Sequence, residues 1–160
     1  GSLLHILFNM LAFSQIAPFV AKVYGTHKMF ILYSVTGTIG FVISCLAGVK
    51  LTIGASGAVC GLIGATLYFG KSRGGFFGDA VYRQTMGWVI GIGMLGLLVP
   101  NINNWGHGGG LISGIAAGWL LGYNEQRSEN ILHAAAGILL IVFTVGLLMW
   151  RVLTGIGLLV

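Results

Sequence analysis

Six apolar runs divide the chain, separated by short polar or basic stretches. They predict six helices: α1 over 3–21, α2 over 29–48, α3 over 56–70, α4 over 85–99, α5 over 105–123 and α6 over 131–151. A helix needs about 20 apolar residues to cross a bilayer. The runs for α1, α2, α5 and α6 reach that length. Those for α3 and α4 are short, so each is expected to end below the membrane surface or to be covered by its neighbours. Pro18 falls near the end of α1, and Pro100 stops α4. Linkers this short predict one all-α, polytopic transmembrane bundle with six transmembrane helices. No internal repeat is visible.

Composition strengthens that reading. The chain of 160 residues carries 8 basic and 3 acidic side chains against 56% hydrophobic residues. A soluble domain is about 25% charged, so these charges cannot cover a water-exposed surface. The 28 glycines lack a collagen-like period and sit among apolar residues, which excludes a fibrous or disordered chain. Cys45 and Cys60 lie inside apolar runs, which argues against a disulfide framework or a cysteine zinc site.

The net charge of +5 does not point to nucleic acid, because the cations are scattered through the linkers. Lys22, Lys28, Lys71, Arg73, Arg83 and Arg127 fall on one side of the alternating topology, and Lys50 and Arg151 on the other. The positive-inside rule puts the first group in the cytoplasm. Asp79, Glu125 and Glu129, the three acids, are on that side too, and His27 is expected in a cytoplasmic loop.

Strongly polar groups inside membrane spans are costly and are candidates for function. His5 and Asn9 share a face of α1, four residues apart. Ser56 opens α3 within Gly54-Ala55-Ser56-Gly57, and His107 opens α5 after Asn101-Ile-Asn-Asn104. Each has an ordinary reading: a polar pair gluing helices, a helix N-cap, an interfacial histidine. The topology nevertheless gathers all four in the non-cytoplasmic leaflet. His133 opens α6 near the opposite interface.

Glycine adds a second constraint. Gly110, Gly114, Gly118 and Gly122 recur every four residues along α5, with His107 three residues ahead, and α3 carries Gly57, Gly61 and Gly64. Small residues at this spacing let helices approach closely. Packing α3 on α5 through these faces brings Ser56 to His107.

A serine hydroxyl becomes a nucleophile when a base takes its proton, and His107 is placed for that. With no carboxylate on this side, a triad is excluded and a Ser–His dyad remains. Unpaired amide N–H groups at the start of α3, with His5 and Asn9, are candidate donors to an oxyanion. No His-Glu-x-x-His pair is present, so no metal is expected, and two intramembrane acids for aspartyl chemistry are lacking.

His5-Ile-Leu-Phe-Asn9, Gly54-Ala-Ser56-Gly57 and His107-x-x-Gly110-x-x-x-Gly114, in that order, resemble the rhomboid intramembrane serine proteases. The resemblance spans roughly residues 1–123. It implies Ser56 as nucleophile and His107 as general base. It implies an oxyanion hole of His5, Asn9 and the Ser56 backbone N–H. It also implies cleavage of peptide bonds in or near transmembrane segments of other proteins, without a cofactor, in a site wetted from the non-cytoplasmic side.

Residues 1–123 are then the protease core, and 124–160 a cytoplasmic loop and an extra C-terminal helix of the same bundle. Rhomboids carry one more helix and a long loop before the His-x-x-x-Asn helix, so the chain reads as a fragment of a seven-helix parent. Gly1-Ser2 is open to reading as native or appended. Cys60 stands where some bacterial relatives place an aromatic residue against the histidine, implying a less tightly held ring.

The expected setting is a bacterial inner or plasma membrane, with lipids and transmembrane substrates as partners, no nucleic acid, and an open oligomeric state. Two alternatives are a catalytically inactive rhomboid-like protein that binds membrane clients, and a small-solute channel or transporter. Retention of Ser56 and His107 argues against the first. The second lacks the inverted repeats it would favour.

Overall fold

The structure, a computed structural model, describes residues 3–49, 52, 54–100 and 102–155. Gly1, Ser2, Lys50 and Asn101, which entered the sequence reading, lie outside the described residues. Six helices follow one another: α1 Leu3–Tyr24, α2 Thr26–Leu46, α3 Ser56–Arg73, α4 Gly75–Leu98, α5 Asn104–Leu121 and α6 Ile131–Gly155. There are no strands among the described residues. His5–Tyr24, Thr26–Leu46 and Ile131–Gly155 are long and apolar enough to cross a membrane.

Several boundaries differ from the apolar pattern by two to ten residues, and three of them change how the pattern is read. α4 starts ten residues earlier than expected and has 24 residues, so it is not short. Its first turns carry Asp79 and Arg83 and both stay helical, because apolar composition marks the hydrocarbon slab while a helix can run beyond it. His27 lies in the first turn of α2 rather than in a loop. α5 ends at Leu121, and Gly122 is its C-cap with φ 65°, so the glycine stripe loses its last member.

Helices α1, α3 and α5 run in one direction, and α2, α4 and α6 return. Among the described residues α3 and α5 make the most extensive helix-to-helix contact, while α2 packs on both and α6 packs on α2. One end of the bundle is filled by large side chains. Phe19, Phe69, Tyr24 and Tyr123 meet edge to face, with Phe69 and Tyr123 centroids 5.0 Å apart. Tyr24 Oη, fully buried, donates to Ala65 O at 2.9 Å and ties the end of α1 to α3.

The same end carries a latch. Glu129, in the α5–α6 loop, accepts the Lys28 backbone N–H at 2.8 Å and faces His27 Nδ1 at 3.3 Å. The Lys28 ammonium is buried and donates to Gly122 O at 2.9 Å and to Arg127 O. Partial burial works against the Glu129 charge. The hydrogen bonds from Lys28 N–H and the His27 ring together outweigh it and hold the carboxyl below its usual value.

From that end to the opposite one, α3 and α5 touch through main chain. A Cβ on Gly110 would lie 2.9 Å from the carbonyl carbon of Gly57, and one on Gly118 would lie 3.1 Å from Ala65 Cα. Gly64 faces the carbonyl of Leu111 in the same way. Gly61 is crowded on a second side, where a Cβ would strike Thr36 of α2. Thr36, Ser44 and Thr66 return their hydroxyl hydrogens to carbonyls one turn back, which satisfies them where no water competes.

Candidate active site

Ser56 is the first residue of α3, and Ala55 is its N-cap. The serine side chain therefore does not cap the helix. Its Oγ lies 2.8 Å from His107 Nε2, in the first turn of α5. Both residues are half-buried. The first intrahelical bond of α3 is Val59 N–H to Ala55 O at 3.0 Å, so the N–H groups of Ser56, Gly57 and Ala58 precede the ladder and point out of the helix start.

His5 reaches the same place from α1. Its ring packs over Gly54, where a Cβ would lie 3.2 Å from Cδ2 and nearer still to Nε2. Gly54 has φ 110°, a conformation L side chains rarely adopt. Two independent demands, space for His5 and a left-handed backbone, thus require glycine two residues before Ser56. Asn9 lies one turn along α1 and donates from Nδ2 to His5 O at 2.8 Å. Ser56, His107 and the His5 ring are brought to one end of three parallel helices, and Asn9 braces the backbone of His5.

A cavity of about 20 Å³ opens beside the pair on the α2 side, room for about one water. Gly37 and Gly40 of α2, Thr52, Ser56, Asn103 and His107 contribute to its wall. Behind it is a polar knot the sequence reading did not single out. Asn103 Oδ1 accepts the Gly106 N–H at 3.0 Å, and its Nδ2 donates to Ser44 Oγ at 2.7 Å and to Thr52 Oγ1 at 3.0 Å. The signal was present: an asparagine just before a helix start is a capping residue. Its partners 59 and 51 residues away are visible only in three dimensions.

Among the described residues, no three His, Cys, Asp or Glu side chains come together in a way that could hold a metal. Chemically the arrangement offers a hydroxyl in hydrogen-bond contact with an imidazole, next to a row of backbone N–H groups. That is the equipment of nucleophilic acyl transfer.

Comparison with known proteins agrees with the motif reading. The Rhomboid domain matches residues 1–124. "Rhomboid protease GluP" of Bacillus subtilis is 33% identical over 152 residues, covering 90% of this chain and 28% of that protein. "RHOMBOID-like protein 5" of Arabidopsis thaliana is 28% identical over 133 residues, covering 76% of this chain and 40% of that one. "RHOMBOID-like protein 4" of the same plant is 31% identical over 126 residues, covering 77% of this chain and 31% of its own length. The chain thus spans well under half the length of these relatives. No solved structure matches it. With the family domain matched over 124 of 160 residues on an all-helical bundle rich in apolar surface, this is an integral membrane protein that belongs to the rhomboid family.

Proposed function

We propose that this chain is the core of an intramembrane serine endopeptidase that cleaves transmembrane segments of other proteins with a Ser56–His107 dyad. The observation that carries the reading is the 2.8 Å contact between Ser56 Oγ and His107 Nε2 at the tips of two glycine-packed helices. With its proton on Nδ1, His107 takes the Ser56 proton at Nε2 as Oγ attacks the scissile carbonyl. The tetrahedral oxyanion takes hydrogen bonds from the N–H groups at the start of α3, with the His5 ring alongside. Collapse of the intermediate sends the proton from His107 to the leaving amine and leaves an acyl ester on Ser56. Water, activated by the same imidazole, then releases the second product.

The six basic residues Lys22, Lys28, Lys71, Arg73, Arg83 and Arg127 support a site facing away from the cytoplasm. Their helix ends are the ones remote from Ser56. Residues 1–123 form the protease core in this reading, and α6 is an added helix fastened to α2.

The test is labelling with a fluorophosphonate probe in detergent or liposomes, on this chain and on a form extended by a preceding helix. Ser56→Ala and His107→Ala are the controls. Labelling that depends on both residues is expected. An extended form whose labelling is indifferent to Ser56 would overturn the reading, and would favour the inactive, client-binding alternative.

A further inference from the structure

We infer that Asn103 is a positioning residue for the dyad: one residue holds the helix turn that carries His107 and ties it to the loop leading to Ser56. The inference rests on the proposed protease reading.

The argument starts from what holds the imidazole. His107 Nδ1 is buried and has no hydrogen-bond partner among the described residues, so no acceptor there orients the ring. Placement of His107 then falls to its main chain. Its N–H donates to Asn103 O at 3.1 Å, and the neighbouring Gly106 N–H donates to Asn103 Oδ1 at 3.0 Å. The first turn of α5 is thereby held by both the main chain and the side chain of one residue.

Asn103 also fixes that turn against its surroundings. Its two Nδ2 hydrogens go to different segments, Ser44 of α2 and Thr52 in the loop before α3. Ser44 is fully buried and is itself anchored, donating to Gly40 O at 2.8 Å. The fit leaves no slack: a Cβ on Gly106 would lie 2.9 Å from both Asn103 Nδ2 and Ser44 Oγ, and one on Gly40 would lie 2.8 Å from Gly106 O. Thr52 stands four residues before Ser56. The amide therefore spans the two chain segments that carry the dyad, with every side-chain donor and acceptor direction used apart from one lone pair.

Small displacements between reacting groups are expensive, on the order of 10²-fold for about 1 Å. Asn103→Ala removes the cap and both tethers. It should lower the rate of Ser56 phosphonylation and kcat for a transmembrane substrate by on the order of 10²-fold, with KM little changed. Asn103→Ser keeps a capping acceptor but is too short for the tethers, and should recover part of the loss. A purely structural role predicts a different pattern: a lower unfolding temperature with normal kcat per folded molecule, and such a result would overturn the inference.

Hydrogen exchange separates this failure from failure of the protease reading. Asn103→Ala should expose the Gly106 and His107 amides whether or not the chain is a protease, and unchanged protection would also overturn the inference. Should the extended wild type show no Ser56-dependent labelling, the protease reading falls and the dyad role falls with it. The exchange result would then stand as evidence for a structural cap.

Discussion

Gly114 of α5 and Gly61 of α3 meet backbone to backbone, so closely that a Cβ on Gly114 would sit 2.7 Å from the Gly61 carbonyl carbon. One methyl group must therefore push the helices apart or bend one of them. Overpacking of this kind costs about 1–3 kcal/mol. Gly114→Ala should lower thermal stability in micelles and slow fluorophosphonate labelling, because the Ser56–His107 contact lies two turns along the same seam. Gly146 of α6 has nothing within 4 Å of its Cβ position, so Gly146→Ala should leave both measurements unchanged. Equal effects of the two substitutions would show that the seam does not set the site.

Ser56→Ala should abolish cleavage of a model transmembrane substrate, and His107→Ala should reduce it to near background. Asn9→Ala should be milder. An oxyanion donor is worth about 10²–10³ in rate, and Asn9 spends one amide hydrogen on His5 O. Initial rates of the three variants at saturating substrate decide the order. A loss for Asn9→Ala as deep as that for Ser56→Ala would assign Asn9 a larger role than donor or brace.

The Gly54 position should be unusually intolerant. Gly54→Ala meets a backbone with φ 110° and the His5 ring together, and either alone is unfavourable. The expected result is a folded helical protein with strongly reduced labelling, since the change falls in the loop that delivers Ser56. Pairing it with His5→Ala separates the two causes: the double variant should regain what the ring collision removes and keep the backbone penalty.

The Glu129 latch predicts an acid-sensitive α5–α6 loop. Its carboxyl is held below the ordinary 4.5, burial opposing and the Lys28 and His27 hydrogen bonds prevailing. A depressed pKa means the folded state binds the proton less readily than the unfolded state. Its stabilisation is therefore complete above the ordinary carboxylate range and fades as pH falls through the lowered value. Glu129→Gln should flatten the pH dependence of Lys28 amide exchange between neutral and acid conditions. Glu129→Ala should destabilise by about 0.5–2 kcal/mol, the worth of a helix cap. A pH dependence that persists in Glu129→Gln would locate the sensitivity elsewhere.

The helical bundle was largely legible because a bilayer imposes its thickness on sequence: apolar runs punctuated by cations are hard to mistake. What the pattern missed has physical causes. α4 continues for ten residues through Asp79 and Arg83, where composition reports the slab and not the helix. Lys28 reads as a loop cation, yet it is buried against the carbonyls of Gly122 and Arg127, a partnership no spacing rule encodes. The contact between Ser56 and His107 was within reach, because both sit at helix starts and the glycine spacing fixes which faces meet. Asn103 was legible only as a helix cap, since its bonds to Ser44 and Thr52 join residues 59 and 51 positions away. The His5 ring was expected at the site because the alternating topology puts it in the leaflet of Ser56 and His107, but its bearing on Gly54 depends on a loop whose path sequence does not give.

The direction of the three helices that carry the site has an electrical meaning. α1, α3 and α5 run parallel, with His5 and His107 in their first turns and Ser56 at the first position of α3. The amino ends of three macrodipoles converge there, each equivalent to roughly half a positive elementary charge. On the proposed reading, a negative charge developing on a substrate oxygen would enter a field to which these peptide units contribute. Among the described residues no lysine or arginine is needed beside the dyad for the bundle to favour an anion in a low-dielectric region, and the cost of desolvating one is avoided. On the proposed protease reading the bundle divides the labour: most of its cations gather at the end remote from Ser56, and the helix starts supply the polarity that the chemistry needs.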